Sequence, residues 1–142
     1  ARVLDAYAGT GALGLEALSR GAREVVFVES DPAAVRRLGE HVETLGAGAR
    51  CAVHEAEALS WLKDPRGSGI FDLILADPPY AGGEGRRLAG PAAARRLAPG
   101  GWLVLEREAA RGPVEGGGEA LLLFRTARYG ATCLDFYRLA GS

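Results

Sequence analysis

An apolar run at residues 70–76 is the feature that most constrains the fold of this chain. The run consists of Ile70, Phe71, Leu73, Ile74, Leu75 and Ala76, with Asp72 as its one polar member. A short run with so little polar alternation is typical of a strand that is buried on both faces. Strands of this kind belong mostly to parallel sheets that carry helices on both sides, so the run predicts an α/β fold.

A tetrapeptide, Asp77-Pro78-Pro79-Tyr80, closes this strand and is called the DPPY segment below. It resembles motif IV of the amino-methyltransferases, which act on amines whose lone pair is delocalised. Asp77 can accept one N–H of such an amine, the carbonyl of Pro78 can accept the other, and the Tyr80 ring can stack on a base. Prolines have no N–H of their own, so these carbonyls stay free. A polar turn after the strand is the alternative interpretation.

A glycine pattern near the start of the chain indicates a cofactor site. Gly9, Gly11 and Gly14 give the spacing G-x-G-x-x-G after a short strand. The first two permit a tight turn close to a ligand, and Gly14 lets a helix pack against the sheet. Glu29 ends the next strand, about 20 residues after Gly9, where a carboxylate receives ribose hydroxyls. Both a nicotinamide dinucleotide and S-adenosylmethionine present a ribose there, so the loop alone does not decide between them.

Asp5 favours S-adenosylmethionine, because it lies four residues before the first glycine. A carboxylate at that position suits the cationic methionine end of this cofactor and would repel a pyrophosphate. The alternative is a strand-end carboxylate that caps a nearby backbone N–H.

The remainder of the chain alternates helices and strands, as in an open parallel sheet. Helices are predicted at residues 12–20, from an Asp31 N-cap and Pro32 to a stop at Gly46, and around Leu59 and Leu62. Strands are predicted at 24–28, 50–54 and 102–106, and a hairpin at 121–129 and 131–139. A helical segment with several arginines is predicted between the DPPY segment and residue 99. The pattern amounts to parallel strands with an antiparallel pair at one edge.

Composition favours one soluble cytosolic domain. The chain is 48% hydrophobic, has a net charge of -1, and contains no apolar run long enough to span a bilayer. Cys51 and Cys133 lack paired spacing and a nearby histidine motif, so we expect core positions and no metal site. Since the chain has no methionine and its first strand begins almost at residue 1, we expect a piece of a longer protein.

Five segments together are similar to a known family: residues 4–22 (LDAYAGTGALGLEALSRGA), 26–31 (VFVESD), the DPPY segment, 129–132 (YGAT) and 136–138 (FYR). They resemble the RsmD family of bacterial ribosomal RNA methyltransferases. The resemblance implies a Rossmann-like class I methyltransferase fold: a mostly parallel seven-stranded sheet, an antiparallel C-terminal hairpin and helices on both faces. It implies methylation of the exocyclic N2 of a guanine in 16S ribosomal RNA, with S-adenosylmethionine as methyl donor. It also implies a cytoplasmic monomer that acts on ribosomal RNA or the small ribosomal subunit.

The resemblance assigns roles to individual residues. Cofactor contacts fall on Asp5, Tyr7, Gly9, Thr10, Gly11, Glu29, Ser30, Glu57, Ala58 and Asp77. The catalytic group is Asp77, Pro78, Pro79 and Tyr80, and the substrate contacts are Tyr80, Arg86 and Arg87. Glu57 stands where the family more often has aspartate, and a solvated glutamate at a helix N-terminus is the alternative. The family also carries a basic N-terminal RNA-binding segment that residues 1–142, taken as a single methyltransferase domain, do not include.

Other functions share some of these features. An adenine-N6 DNA methyltransferase would use the same DPPY segment but usually brings a large target-recognition domain. A glutamine-N5 protein methyltransferase typically has asparagine where this chain has Asp77. An NAD-dependent oxidoreductase fits the glycine pattern but leaves Asp5 and the DPPY segment unexplained, and a non-catalytic cofactor-binding module is the remaining alternative.

Overall fold

The computed structural model describes residues 1–64, 69–79, 88–113 and 120–141. Within them, the strands are β1 (Arg2–Ala6), β2 (Glu24–Glu29), β3 (Cys51–Glu55), β4 (Phe71–Ala76), β5 (Leu97–Glu108), β6 (Leu121–Tyr129) and β7 (Thr132–Leu139). The helices are α1 (Ala12–Ser19), α2 (Pro32–Thr44) and α3 (Ala58–Lys63). A 3-10 turn (Gly48–Arg50) precedes β3, and an irregular helical segment (Leu88–Ala92) precedes β5.

These strands form a seven-stranded sheet in the order β3-β2-β1-β4-β5-β7-β6. The pairs from β3 to β5 are parallel, whereas β7 runs antiparallel between β5 and β6. Ala6 is paired with Val28 on one side and with Ala76 on the other, and Ala76 is paired with Leu105. The carboxyl ends of the parallel strands therefore meet at one edge of the sheet. The predicted class I sheet with its antiparallel C-terminal hairpin is confirmed.

Apolar side chains cover both faces of the sheet. On one face Phe71 and Tyr137 pack with Leu62 of α3. On the other face Phe27 packs beneath Leu38 of α2. Each of these side chains is at most 2% exposed, and burial of a side chain of this size contributes about 1.5 to 3 kcal/mol. Helices on both faces, as predicted, are what make this double burial possible.

The limits of the helices follow local signals closely. Asp31 is the N-cap of α2, where its carboxylate accepts the Ala33 N–H at 3.2 Å, and Pro32 is the first helical residue. Gly46 has a φ of 66° just beyond the end of that helix, a conformation in which glycine costs little. Helix α1 ends at Ser19, one residue before the predicted end.

Strand β5 begins earlier than predicted. Its pairing with β4 starts at Leu97 opposite Phe71 and resumes at Trp102 opposite Leu73. Between these two pairs β5 has more residues than β4, so some residues of β5 have no partner on β4. Gly100 lies in this unpaired part of β5 and has a φ of 78°. Residues 99–101 indicate a turn by composition, but pairing with β4 makes them an irregularity inside the strand.

None of the helices in the described ranges is both long enough and apolar enough to cross a membrane.

Candidate functional site

The turn after β1 is the most unusual backbone of the site. Tyr7, Gly9 and Gly11 all have positive φ, at 64°, 56° and 81°. A positive φ is rare for a residue with a side chain and costs about 1 to 2 kcal/mol, so Tyr7 is held there by its surroundings. The Ala8 N–H donates to the Val28 carbonyl at 3.0 Å, which ties the turn to the end of β2. The turn is therefore a fixed surface of backbone groups at the carboxyl edge.

The glycines at positions 11 and 14 permit close packing below this turn. A Cβ at Gly14 would lie 2.4 Å from a ring carbon of Phe27, and one at Gly11 would lie 2.2 Å from a methyl of Leu38. A Cβ at Gly9 would meet nothing within 4 Å, so its positive φ is what favours glycine there. The predicted role of Gly14 in packing the helix on the sheet is thus visible in the contact with Phe27.

Asp5 lies beneath the turn and is only 2% exposed. Its carboxylate accepts the Gly14 N–H at 3.0 Å, so it caps α1 from the neighbouring strand, while the N-cap residue Gly11 has no side chain to do so. Burial raises the pKa of Asp5 to about 7; the Gly14 hydrogen bond opposes this rise and the nearby Glu29 charge adds to it. The N–H cap named above as an alternative is present, and the role of Asp5 toward a cofactor stays a prediction.

Glu29 closes the turn from the side of β2. One of its carboxylate oxygens accepts the Gly9 N–H at 2.8 Å, and the other accepts the Asp31 N–H at 2.8 Å. A carboxylate oxygen has two lone pairs, so each oxygen can accept one more hydrogen bond. The half-buried Glu29 is therefore fixed in orientation and still able to receive two hydroxyl groups, while the adjacent Ser30 is exposed.

His41 of α2 also contacts the turn. Its Nδ1 lies 3.3 Å from the carbonyl oxygen of Thr10, so the imidazole donates there when Nδ1 carries a proton. Helix α2 thereby supports the same turn as β2. The sequence offers no signal for this contact, because it depends on how α2 packs against the sheet.

Glu57 and Ala58 begin α3 after β3. The Glu57 carboxylate accepts the Leu59 N–H at 2.8 Å, the Ser60 N–H at 3.1 Å and the Ser60 hydroxyl at 2.9 Å. Partial burial raises the pKa of this carboxyl, but these hydrogen bonds outweigh that effect and the net pKa is lowered. The structure thus shows Glu57 as the N-cap of its own helix, and its predicted contact with the cofactor stays a prediction.

A cleft of about 380 Å³ opens at the ends of β4 and β5, and its lining includes Asp77, Pro78, Pro79, Glu106 and Thr132. The side chains of Asp77 and Glu106 are hydrogen-bonded to each other. Burial, this hydrogen bond and the Asp77 charge all raise the pKa of Glu106. Glu106 is absent from the sequence-based set of site residues, because its position beside Asp77 depends on the pairing of β4 with β5.

The structure brings most of the predicted residues to one edge. The turn after β1, Glu29, the start of α3 and the first part of the DPPY segment all follow the carboxyl ends of parallel strands. Tyr80, Arg86 and Arg87 lie outside the described residues. Within the described ranges there is no cluster of three or more histidine, cysteine or acidic residues suited to a metal ion.

The order and direction of the strands are those of the class I methyltransferases, and solved structures share the fold. The chain superimposes on the Escherichia coli protein yhhF with a TM-score of 0.86 and 28% identity, covering 100% of this chain and 78% of that one. For the Thermus thermophilus protein TTHA0928 the values are 0.79 and 31%, with 97% and 75% coverage. Similarity to a ribosomal protein L11 methylase of Lactobacillus delbrueckii, at 17% identity and a TM-score of 0.74, concerns the fold alone.

The chain belongs to the RsmD family of methyltransferases. The family model described as "Conserved hypothetical protein 95" matches residues 1–138. Ribosomal RNA small subunit methyltransferase D of Haemophilus influenzae is 39% identical over 82 residues, which are 54% of this chain and 40% of that protein. The Escherichia coli K12 protein of the same name is 40% identical over 83 residues, 58% of this chain and 40% of that protein. The matched segment thus spans well under half of these relatives.

Proposed function

We propose that this chain carries out S-adenosylmethionine-dependent methylation of the exocyclic N2 amine of a guanine in small-subunit ribosomal RNA. The observation that carries the proposal is the position of Asp77, which lines an open cleft with Pro78 and Pro79. Ala76 is paired with Ala6, so β4 and β1 end next to each other. Asp77 follows the end of β4, and the glycine turn follows the end of β1. The residues to which we assign the amine and the cofactor are therefore neighbours. The names of the two relatives support ribosomal RNA as the substrate.

The chemistry of the turn fits S-adenosylmethionine better than a dinucleotide. Glu29 keeps an accepting lone pair on each oxygen for ribose hydroxyls. Asp5 adds a second carboxyl beneath the turn, where a cation would favour its charged form. A pyrophosphate at this turn would be repelled by the ionised form of Asp5. This charge distribution disfavours a nicotinamide-dependent oxidoreductase.

The residues of the cleft would act mainly by holding the amine. When bound, S-adenosylmethionine supplies an electrophilic methyl group on a sulfonium centre. Asp77 accepts one N–H of the guanine amine and the Pro78 carbonyl accepts the other, which turns the nitrogen lone pair toward that methyl group. Correct placement of two bound reactants can contribute about 7 to 11 kcal/mol, so a strong base is not required. Tyr80 would stack on the guanine and contribute about 1 to 3 kcal/mol.

The test is transfer of radiolabelled methyl from S-adenosylmethionine to small ribosomal subunits that lack the modification, followed by chromatography of the nucleosides. We expect the label in N2-methylguanosine. Asp77→Ala should abolish transfer and leave most of the cofactor affinity measured by calorimetry. Asp72→Ala is the matched control, since Asp72 is a carboxylate of the same strand that binds the Arg2 N–H at its opposite end.

Other outcomes separate the alternatives. Label in N6-methyladenosine would show that the acceptor is an adenine and not a guanine. Full transfer by Asp77→Ala would refute the assigned role of the DPPY segment. Failure of the protein to bind the cofactor at all would overturn the proposal.

A further inference from the structure

Two acidic side chains meet at the end of the sheet that carries the proposed transfer site. Ala76 is paired with Leu105 in the parallel β4–β5 ladder, so Asp77 and Glu106 are the next residues on the two strands. Their side chains are hydrogen-bonded, and both line the same cleft. Asp77 is exposed and Glu106 is half-buried. The pair therefore lines the cleft with one exposed and one half-buried carboxyl group.

A hydrogen bond between two carboxyl groups requires a proton on one of them, because an ionised carboxylate can only accept. Burial and the neighbouring Asp77 both raise the pKa of Glu106, so Glu106 is the member that holds the proton. Its hydroxyl then occupies one oxygen of Asp77. The other oxygen of Asp77 is left to accept an N–H of an amine.

Two charged neighbours of Glu106 on its own strand are paired with other residues. Arg107 is paired with Asp135 of β7 at 2.6 Å, and Glu108 is paired with Arg111 at 3.7 Å. The residue of β7 opposite Glu106 is the apolar Leu134. Asp77 of β4 faces Glu106 directly from the neighbouring strand on the other side.

We propose that Glu106 is a positioning residue of methyl transfer, which donates its carboxyl proton in a hydrogen bond to Asp77 and so fixes the Asp77 oxygen that receives the amine. This inference rests on the proposed function. After transfer, the amine nitrogen carries an additional proton; the N–H bond breaks, Asp77 takes the proton and later releases it to water. Through both steps Glu106 keeps its own proton and the orientation of Asp77. Loss of the Glu106 proton at high pH removes the donor, so transfer falls with rising pH.

Two substitutions of Glu106 separate its hydrogen bond to Asp77 from its ability to ionise. Glu106→Gln keeps an N–H donor at every pH, whereas Glu106→Ala has none. We expect Glu106→Gln to keep transfer near the wild-type rate at neutral pH and to lose the decline that Glu106 causes at high pH. We expect Glu106→Ala to lower kcat about tenfold or more, with cofactor affinity unchanged, because a hydrogen bond to a charged group is lost. Glu24→Gln, which removes a carboxyl at the opposite edge of the sheet, should keep the wild-type pH profile.

The experiment has one part that needs no RNA. Carbon-13 spectra of the Glu106 carboxyl group, recorded against pH, should show that it loses its proton at lower pH in Asp77→Ala than in the wild type, because Asp77 raises the pKa of Glu106. The same Glu106 response in both proteins would overturn the inference. The second part measures single-turnover transfer against pH for all the variants. If the wild type transfers the methyl group and Glu106→Gln shows the same pH profile of transfer, the inference is also overturned. Absence of wild-type transfer to every RNA tested would refute the proposed function itself.

Discussion

Replacement of Asp5 by asparagine should change how the stability of the protein depends on pH. The pKa of Asp5 rises from 3.8 to about 7 on folding, mainly through burial. Its folded pKa lies above the unfolded one, so its contribution to stability is complete below pH 3.8 and is lost as the pH rises through about 7. One pKa unit corresponds to about 1.36 kcal/mol, which gives a loss of about 2 to 4 kcal/mol over this window. An asparagine side chain cannot ionise, so the variant should not suffer this loss.

Urea denaturation of both proteins between pH 4 and pH 8 measures this effect. The free energy of unfolding of Asp5→Asn, relative to the wild type, should increase by about 2 to 4 kcal/mol from the lower to the higher pH. The asparagine oxygen can keep the Gly14 N–H, while its NH₂ is a new buried donor with a cost of about 1 to 3 kcal/mol that does not depend on pH. Asp5→Ala should show a different offset but the same dependence on pH. Parallel curves for the wild type and Asp5→Asn would refute the burial argument.

Three further predictions concern other parts of the structure. Gly14→Ala should lower the free energy of unfolding by about 1 to 3 kcal/mol, because its Cβ would meet a phenylalanine ring of β2. Gly39→Ala is the control: a Cβ at this position of α2 would meet nothing within 4 Å, so the free energy of unfolding should rise by about 0.5 to 1 kcal/mol. Equal effects of the two substitutions in urea denaturation would contradict this. Asp135→Ala should cost about 3 to 5 kcal/mol, since it leaves the buried Arg107 guanidinium without its carboxylate, and a loss below about 1 kcal/mol would show that the pair is not isolated from water. Glu29→Ala should weaken cofactor binding about tenfold or more in calorimetry, and unchanged affinity would remove Glu29 from the site.

Local sequence signals determine much of this fold. Asp31, Pro32 and Gly46 locate α2 because a cap, a first-turn proline and a left-handed glycine act within a few residues of the chain. The start of β5 is different, because Gly100 belongs to a turn or a strand irregularity according to what pairs beside it. That pairing involves β4, which is distant in sequence, so composition alone predicts the wrong strand boundary.

The same distinction separates the predicted and missed parts of the site. Asp77 can be found from sequence, because the apolar strand before it and the prolines after it are contiguous. Glu106 and His41 cannot, since the contact of each with the site depends on an element elsewhere in the chain: β4 for Glu106 and the turn after β1 for His41. Glu57 shows the opposite case. Its position in the sequence indicates either a cofactor contact or a helix cap, and the local hydrogen bonds supply the cap.

Parallel strands bring Asp5, Glu29, Asp77 and Glu106 to one edge of a chain whose net charge is only -1. Four ionised carboxylates in so small a region would repel one another, and burial increases the cost for the two whose pKa values are raised, Asp5 and Glu106. Burial and a neighbouring acid make each of these two groups bind its proton more tightly than an ordinary carboxyl group does. A cation bound at this edge lowers those pKa values, so its binding must release protons. An anion has the opposite effect, so we expect from the proposed function that this arrangement of carboxyls favours a sulfonium and ammonium ligand over a pyrophosphate.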